Sequence, residues 1–86
     1  MKLLYCIECQ DIIRLIETER VCMCGKTKGR YINHVEAIYS GSGIPIGLNN
    51  TKFVEAMFFQ PENGPGRVFE AFVIPKECET FKEVKE

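Results

Sequence analysis

The cysteines are the residues of this chain whose type and spacing best fit a definite chemistry. Four of the five form two close pairs, Cys6 with Cys9 and Cys22 with Cys24, and twelve residues separate the pairs. Zn²⁺ prefers four soft ligands in a tetrahedron, so two chain segments must each supply two sulfur atoms and then meet. The sequence therefore predicts one zinc ion held by four thiolates.

Disulfides, a redox site and an iron centre are the alternatives for these cysteines. We expect no secretory signal, and the number of cysteines is odd, so a disulfide framework is disfavoured. A thioredoxin-like redox site would need one pair at the start of a helix. Iron can occupy the same four sulfurs, so the choice between zinc and iron stays open.

A short β-hairpin between the pairs is expected to bring them together. Residues 11–16 are rich in β-branched side chains, residues 17–19 can form a polar tip, and residues 20–21 return the chain. Arms of roughly 15–20 Å are too short to bury a core, so the metal must supply part of the folding free energy. Gly25, after the second pair, can adopt a positive φ, whereas Gln10 at the equivalent place does so less readily.

Four cations flank the second pair: Arg20, Lys26, Lys28 and Arg30. We expect them mainly to offset the charge of the thiolates. Binding of nucleic acid by these residues and nearby aromatic side chains is an alternative. The formal net charge of −1 provides no general attraction to nucleic acid, so we favour the role of offsetting the thiolate charge.

The second half of the chain predicts a small antiparallel sheet with one helix. Residues 30–39 alternate as a half-buried strand, residues 41–43 form a turn, and residues 44–48 return as the second arm of a hairpin. A helix is expected over residues 51–60, with a broad apolar face that needs a sheet beneath it. Residues 67–74 are apolar on both sides and predict a central strand. Residues 76–86 form a charged tail, with Phe81 and Val84 as candidates for docking.

We therefore predict a single α+β domain over residues 1–86. Residues 1–30 form an N-terminal zinc ribbon hairpin, which is joined to the small antiparallel sheet with one helix over residues 31–86. We expect no signal peptide, and this sequence contains no apolar run long enough for a membrane span. We expect a cytoplasmic protein whose thiols stay reduced, with no membrane partner.

The predicted helix start is a candidate site for a small anion, such as a nucleotide. It combines free amides with polar side chains and one cation, and a distant arginine could assist: Asn49, Asn50, Thr51, Lys52 and Arg67. Ordinary helix capping explains the same residues. His34 is the single histidine and Cys78 a lone tail thiol, so no pair of nucleophile and base is visible and no enzyme is predicted.

The chain resembles a group of small uncharacterised bacterial and phage-encoded zinc-ribbon-like proteins. The likeness covers nearly the whole chain, and its motifs are the two cysteine pairs, Gly25, residues 29–31, residues 44–50 and residues 69–75. The resemblance implies a zinc site at the four cysteines. It brings no activity, and it assigns no role to Cys78 or His34.

The leading hypothesis for function is a non-enzymatic protein-interaction module in which zinc is structural. Four protein ligands would leave no open position for activating water. If the protein is phage-encoded, as the resemblance allows, its protein partner would be a host machine or a defence component. A binder of small molecules and a nucleic-acid-binding zinc ribbon are the alternatives.

Overall fold

The computed structural model of this protein describes residues 1–84 and contains eight strands and one helix in that range. In chain order the elements are β1 (Lys2–Cys6), β2 (Ile12–Arg14), β3 (Arg20–Val21), β4 (Thr27–Tyr31), β5 (Ala37–Gly41), β6 (Gly43–Leu48), α1 (Asn50–Phe58), β7 (Ala71–Val73) and β8 (Phe81–Glu83).

The strands form two four-stranded sheets. The first has the order β2-β1-β6-β7 and the second the order β3-β4-β5-β8. All neighbouring strands are antiparallel except β5 and β8, which are parallel. The predicted α+β class is confirmed, with two small sheets in place of one.

The predicted hairpin over residues 11–21 is wrong. β2 pairs with β1, with Ile12 opposite Tyr5, and β3 pairs with β4, with Val21 opposite Lys28. Each cysteine pair itself forms the turn between two strands, so the strands adjacent to each turn pair with one another. The two ligand pairs thus lie at the tips of two hairpins that belong to different sheets.

The predicted strand over residues 30–39 is interrupted by a turn at residues 32–36. The Asn33 side-chain oxygen accepts hydrogen bonds from the amides of Val35, at 2.8 Å, and Glu36, at 2.7 Å. Such local bonds offer the backbone an alternative to the strand ladder. The alternating pattern therefore belongs to two antiparallel strands, β4 and β5, which this turn connects.

The predicted hairpin turn at residues 41–43 is also wrong, because this segment carries the chain from one sheet to the other. β5 lies in the second sheet and β6 in the first, and the two strands do not pair. Gly41 has a φ of 90°, and a Cβ atom there would overlap the backbone carbonyl of Lys26. Only glycine fits this crossing without moving the chain.

The core lies between the two sheets and is small. Tyr39 and Phe81 pack edge to face, with ring centroids 5.1 Å apart, and Phe81 is completely buried. The expected docking of Phe81 is confirmed. The Val84 side chain is exposed, although its amide donates to the Tyr39 carbonyl at 2.7 Å. The last two residues of the predicted tail lie outside the described range.

Residues 49–73, which we call the arm, comprise α1, the loop that follows it and β7, the edge strand of the first sheet. The Asn49 side chain caps the helix by accepting from the Lys52 amide at 3.1 Å, as expected from sequence, and α1 ends two residues before the predicted end. No residue of α1 is buried. The radius of gyration is 14.2 Å, against ~12 Å for a compact chain of this length.

The helix does not lie on a sheet face, and β7 is an edge strand and not the predicted central one. The inner faces of both sheets are already occupied by each other, so no inner face remains to receive α1. The exposed side chains of the arm include Phe58 and Phe59, and Phe72 and Val73 of β7. Within residues 1–84, no helix has the length and apolarity needed to cross a bilayer.

We predict that Gly41→Ala lowers the free energy of unfolding by about 3 kcal/mol or more, because the new methyl group meets backbone. Gly64→Ala is the matched control: its φ of 81° is equally left-handed, but it faces open space and should cost about 1 kcal/mol. Denaturant unfolding measures both. Equal losses would show that the crossing at Gly41 is not sterically constrained.

Candidate metal centre

The two hairpin tips are closed by turns of different length, as expected from the one intervening residue in the second pair against two in the first. In the first, the Gln10 amide donates to the Cys6 carbonyl at 2.8 Å, and in the second the Gly25 amide donates to the Cys22 carbonyl at 3.0 Å. Gln10 and Gly25 have φ angles of 63° and 81°. Gln10 therefore adopts the positive φ that its side chain disfavours, because the tip requires it at this position.

The four sulfur atoms converge at one end of the sandwich. The Sγ atoms of Cys6, Cys9, Cys22 and Cys24 all lie within 4.8 Å of one another. Cys24 Sγ is 3.7 Å from Cys6 Sγ and 3.5 Å from Cys22 Sγ. Four thiolates around zinc lie ~3.8 Å apart when each Zn–S bond is about 2.3 Å. No described cysteine is disulfide-bonded. The cluster can hold a metal ion, as the sequence predicted.

Thr27 supports the cluster with its backbone and side chain. Its amide donates to Cys22 Sγ at 3.3 Å, and its carbonyl accepts from the Cys22 amide at 3.0 Å. Its hydroxyl is fully buried and has no well-formed hydrogen bond among the described residues. This hydroxyl faces Cys6 and is the main cause of the lowered pKa of the Cys6 thiol. A buried donor beside a thiolate is a typical supporting group of a metal site.

Asp11 connects the two tips directly. Its carboxylate accepts a hydrogen bond from the Met23 amide at 2.9 Å, and its carbonyl accepts from the Cys6 amide at 2.9 Å. Sequence reasoning missed Asp11 and Thr27 as supporting residues. Asp11 lies two residues after Cys9, and Thr27 lies three residues after Cys24. Their contacts across the cluster form only when the two tips face each other.

The environment of the cluster separates the pKa values of Cys22 and Cys24. Burial disfavours the Cys22 thiolate, but the Thr27 amide and the neighbouring thiols outweigh it and lower the pKa of Cys22 to about 6. The Lys26 amide favours the Cys24 thiolate, yet burial and the three other thiols raise the pKa of Cys24 to about 12. Four thiolates therefore need a cation between them at neutral pH, a requirement that a divalent metal meets.

The four flanking cations do not share one surface. Lys28 and Arg30 alternate with the buried Thr27 and Gly29 along β4, so both point to the outer face of the second sheet. Arg20 lies opposite Gly29 on β3 and belongs to the other face by register. Lys26 lies at the tip of the hairpin, where its carbonyl accepts from the Ser42 amide.

The candidate anion-binding residues are divided between the two ends of α1. Asn49 caps the helix, and the Asn50 side-chain oxygen accepts from the N-terminal amino group at 2.7 Å. Thr51 and Lys52 are exposed in the first turn. The Arg67 guanidinium lies 5.4 Å from the ring centre of Phe59, just beyond the C-terminal end of the helix. The structure does not bring Arg67 to the helix start.

His34 and Cys78 remain apart from the cluster. His34 is exposed in the turn at residues 32–36. Cys78 is partly buried, and its Sγ lies 3.4 Å from the Thr80 hydroxyl, which is the main cause of the lowered pKa of this thiol. Neither side chain belongs to the group of four sulfur atoms.

No protein-family model, curated protein or solved structure significantly matches this chain. The site must therefore be interpreted from its own geometry.

We predict that Cys22→Ser reduces bound metal well below one ion per chain and lowers the free energy of unfolding by about 4 kcal/mol or more. Cys22 is buried, so its loss removes a ligand and part of the core. Cys78→Ser is the control, with one metal retained and a change within about 1 kcal/mol. Elemental analysis and denaturant unfolding measure both. Equal metal content in the two variants would contradict the assignment.

We predict that metal affinity depends more steeply on pH below about 6 than above it. Cys24 must lose a proton when metal binds throughout the neutral range. Cys22 is already a thiolate above about pH 6 and takes up a proton as the pH falls through that value. Below about pH 6, each fall of one pH unit should therefore lower the metal affinity by about a further factor of ten. Competition with a chromophoric chelator measures it. A single slope across this range would contradict the lowered pKa of Cys22.

Proposed function

We propose that this protein is a non-enzymatic protein-interaction module whose fold is held at one end by structural zinc. Zinc suits four thiolates in a closed tetrahedral set, and its lack of redox chemistry suits a structural role. Four protein ligands leave no position for a water molecule or a substrate. The metal would therefore stabilise the fold and would not act in a reaction.

The observation that carries the proposed interaction role is the exposed apolar arm. Its helix buries none of its own residues, and Phe58 is 77% exposed. Soluble monomers rarely expose a contiguous apolar surface of this kind, and such surfaces usually mark a binding site. The arm begins near Lys2, at the opposite end of β1 from Cys6, so a partner on the arm would leave the metal centre accessible.

Two alternatives draw less support. Binding of a small anion would use Asn49 and Asn50, whose side-chain oxygens are engaged within the chain, together with Arg67, which lies at the far end of α1. Binding of nucleic acid would use cations that the register divides between two faces. The resemblance extends the favoured proposal to a phage-encoded modulator of a host machine or defence component.

Site-specific photo-crosslinking in cells tests the proposed function. A photoreactive amino acid at position 58 should yield one discrete cross-linked protein product, because the arm would be covered by a partner. The same residue at position 82, which is exposed on the second sheet, should yield none. Absence of a product from position 58, or identical products from both positions, would contradict the role of the arm.

A further inference from the structure

The outer edge of β7 carries backbone groups that pair with no strand in residues 1–84. The Ile74 amide donates to the Pro45 carbonyl at 2.9 Å, and the Asn49 amide donates to the Glu70 carbonyl at 2.9 Å. Alternate residues of an antiparallel strand point their backbone groups to opposite sides. The N–H and C=O groups of Ala71 and Val73 therefore point away from β6.

This edge lacks the usual protection against pairing. Natural edges are commonly blocked by proline, by charged side chains or by a covering loop. Ala71, Phe72 and Val73 are apolar and all exposed. The nearest charge and the nearest proline, Glu70 and Pro75, lie outside the strand and limit a ladder to its three residues.

Two copies of β7 are complementary to each other when they run antiparallel. With Phe72 on a two-fold axis, Ala71 of each copy would lie opposite Val73 of the other, and their outward groups could form four hydrogen bonds. The two Phe72 residues would then form the closer, non-hydrogen-bonded kind of cross-strand pair, with each ring packed over Gly47 of its own chain. The Glu70 carboxylates would lie at opposite ends of the ladder, so like charges would not meet.

The exposed phenylalanines of the arm supply more than half of the surface that one partner of a stable interface contributes. The exposed fractions are 77%, 62%, 39% and 53% for Phe58, Phe59, Phe69 and Phe72. These four side chains alone leave roughly 450 Å² of surface in water. One partner in a typical stable complex contributes about 800 Å². Val54, Met57 and Val73, also exposed, add to this area.

The charge of the arm is compatible with self-association. It carries Lys52 and Arg67 against Glu55, Glu62 and Glu70, a formal net charge of 2 − 3 = −1. Two such arms repel each other weakly, and neither attracts a strongly charged partner.

We propose that the partner of the arm is a second copy of this chain, bound through β7 pairing with Phe72 on a two-fold axis. The inference rests on the proposed function, because it assigns the occupant of the same surface. The dimer contains one continuous eight-stranded sheet, with the two metal centres at its far ends.

Sedimentation velocity of the metal-loaded full chain tests the proposal. The wild type should have the mass of two 9.9 kDa chains. Ala71→Pro removes an N–H that points outward and leaves the bonds to β6 intact, so dimerisation should weaken by roughly a hundredfold. Ala71→Val keeps that N–H and should remain dimeric. Metal content, set at the opposite end of the molecule, shows that each variant is folded.

A second pair of variants addresses the side chains. Val73→Glu places two carboxylates inside the ladder and should yield monomers, whereas Val68→Glu, at a 93% exposed position outside it, should not. A monomeric wild type would overturn the dimer, even if position 58 cross-links to another protein and the proposed function survives. Dimers that persist in both Ala71→Pro and Val73→Glu would overturn the assigned interface.

Discussion

The convergence of four thiols from two hairpins is the interaction on which the rest of this structure depends. The hairpins belong to different sheets, and their tips are joined by the sulfur cluster and by the hydrogen bond from the Met23 amide to Asp11. Cys6 and Cys22 are also members of the buried core. Disruption of the cluster would therefore weaken the core and the contact between the sheets together. A core this small leaves little other stabilisation to compensate.

The packing of the two sheets against each other also explains why the side chains of the arm are exposed. The two sheets use their inner faces to cover each other, and the crossing at Gly41 leads β6 into the first sheet next to β1. No inner sheet face then remains against which α1 and the exposed side chains of β7 could pack. Their apolar side chains stay in water, which favours a partner at the end of the molecule away from the metal.

Signals that depend on neighbours along the chain could be predicted from sequence. The spacing of the cysteines, the Asn49 cap and the burial of Phe81 belong to this group. Strand pairing could not be predicted, because it depends on which strands meet in space: residues 11–21 were compatible with one hairpin but pair with β1 and β4 instead. Asn33 broke a well-alternating strand through local hydrogen bonds, and Gln10 adopted the positive φ that the turn of its own hairpin tip requires. Thr27 and Asp11 had no sequence signal of their own.

Native mass spectrometry of the protein purified without chelator tests the central claim most directly. We predict one zinc ion for each chain, bound tightly enough to remain after transfer to the gas phase and lost when Cys22 is replaced by serine. A folded wild-type chain that carries no metal would contradict the claim that this cluster holds the two sheets together.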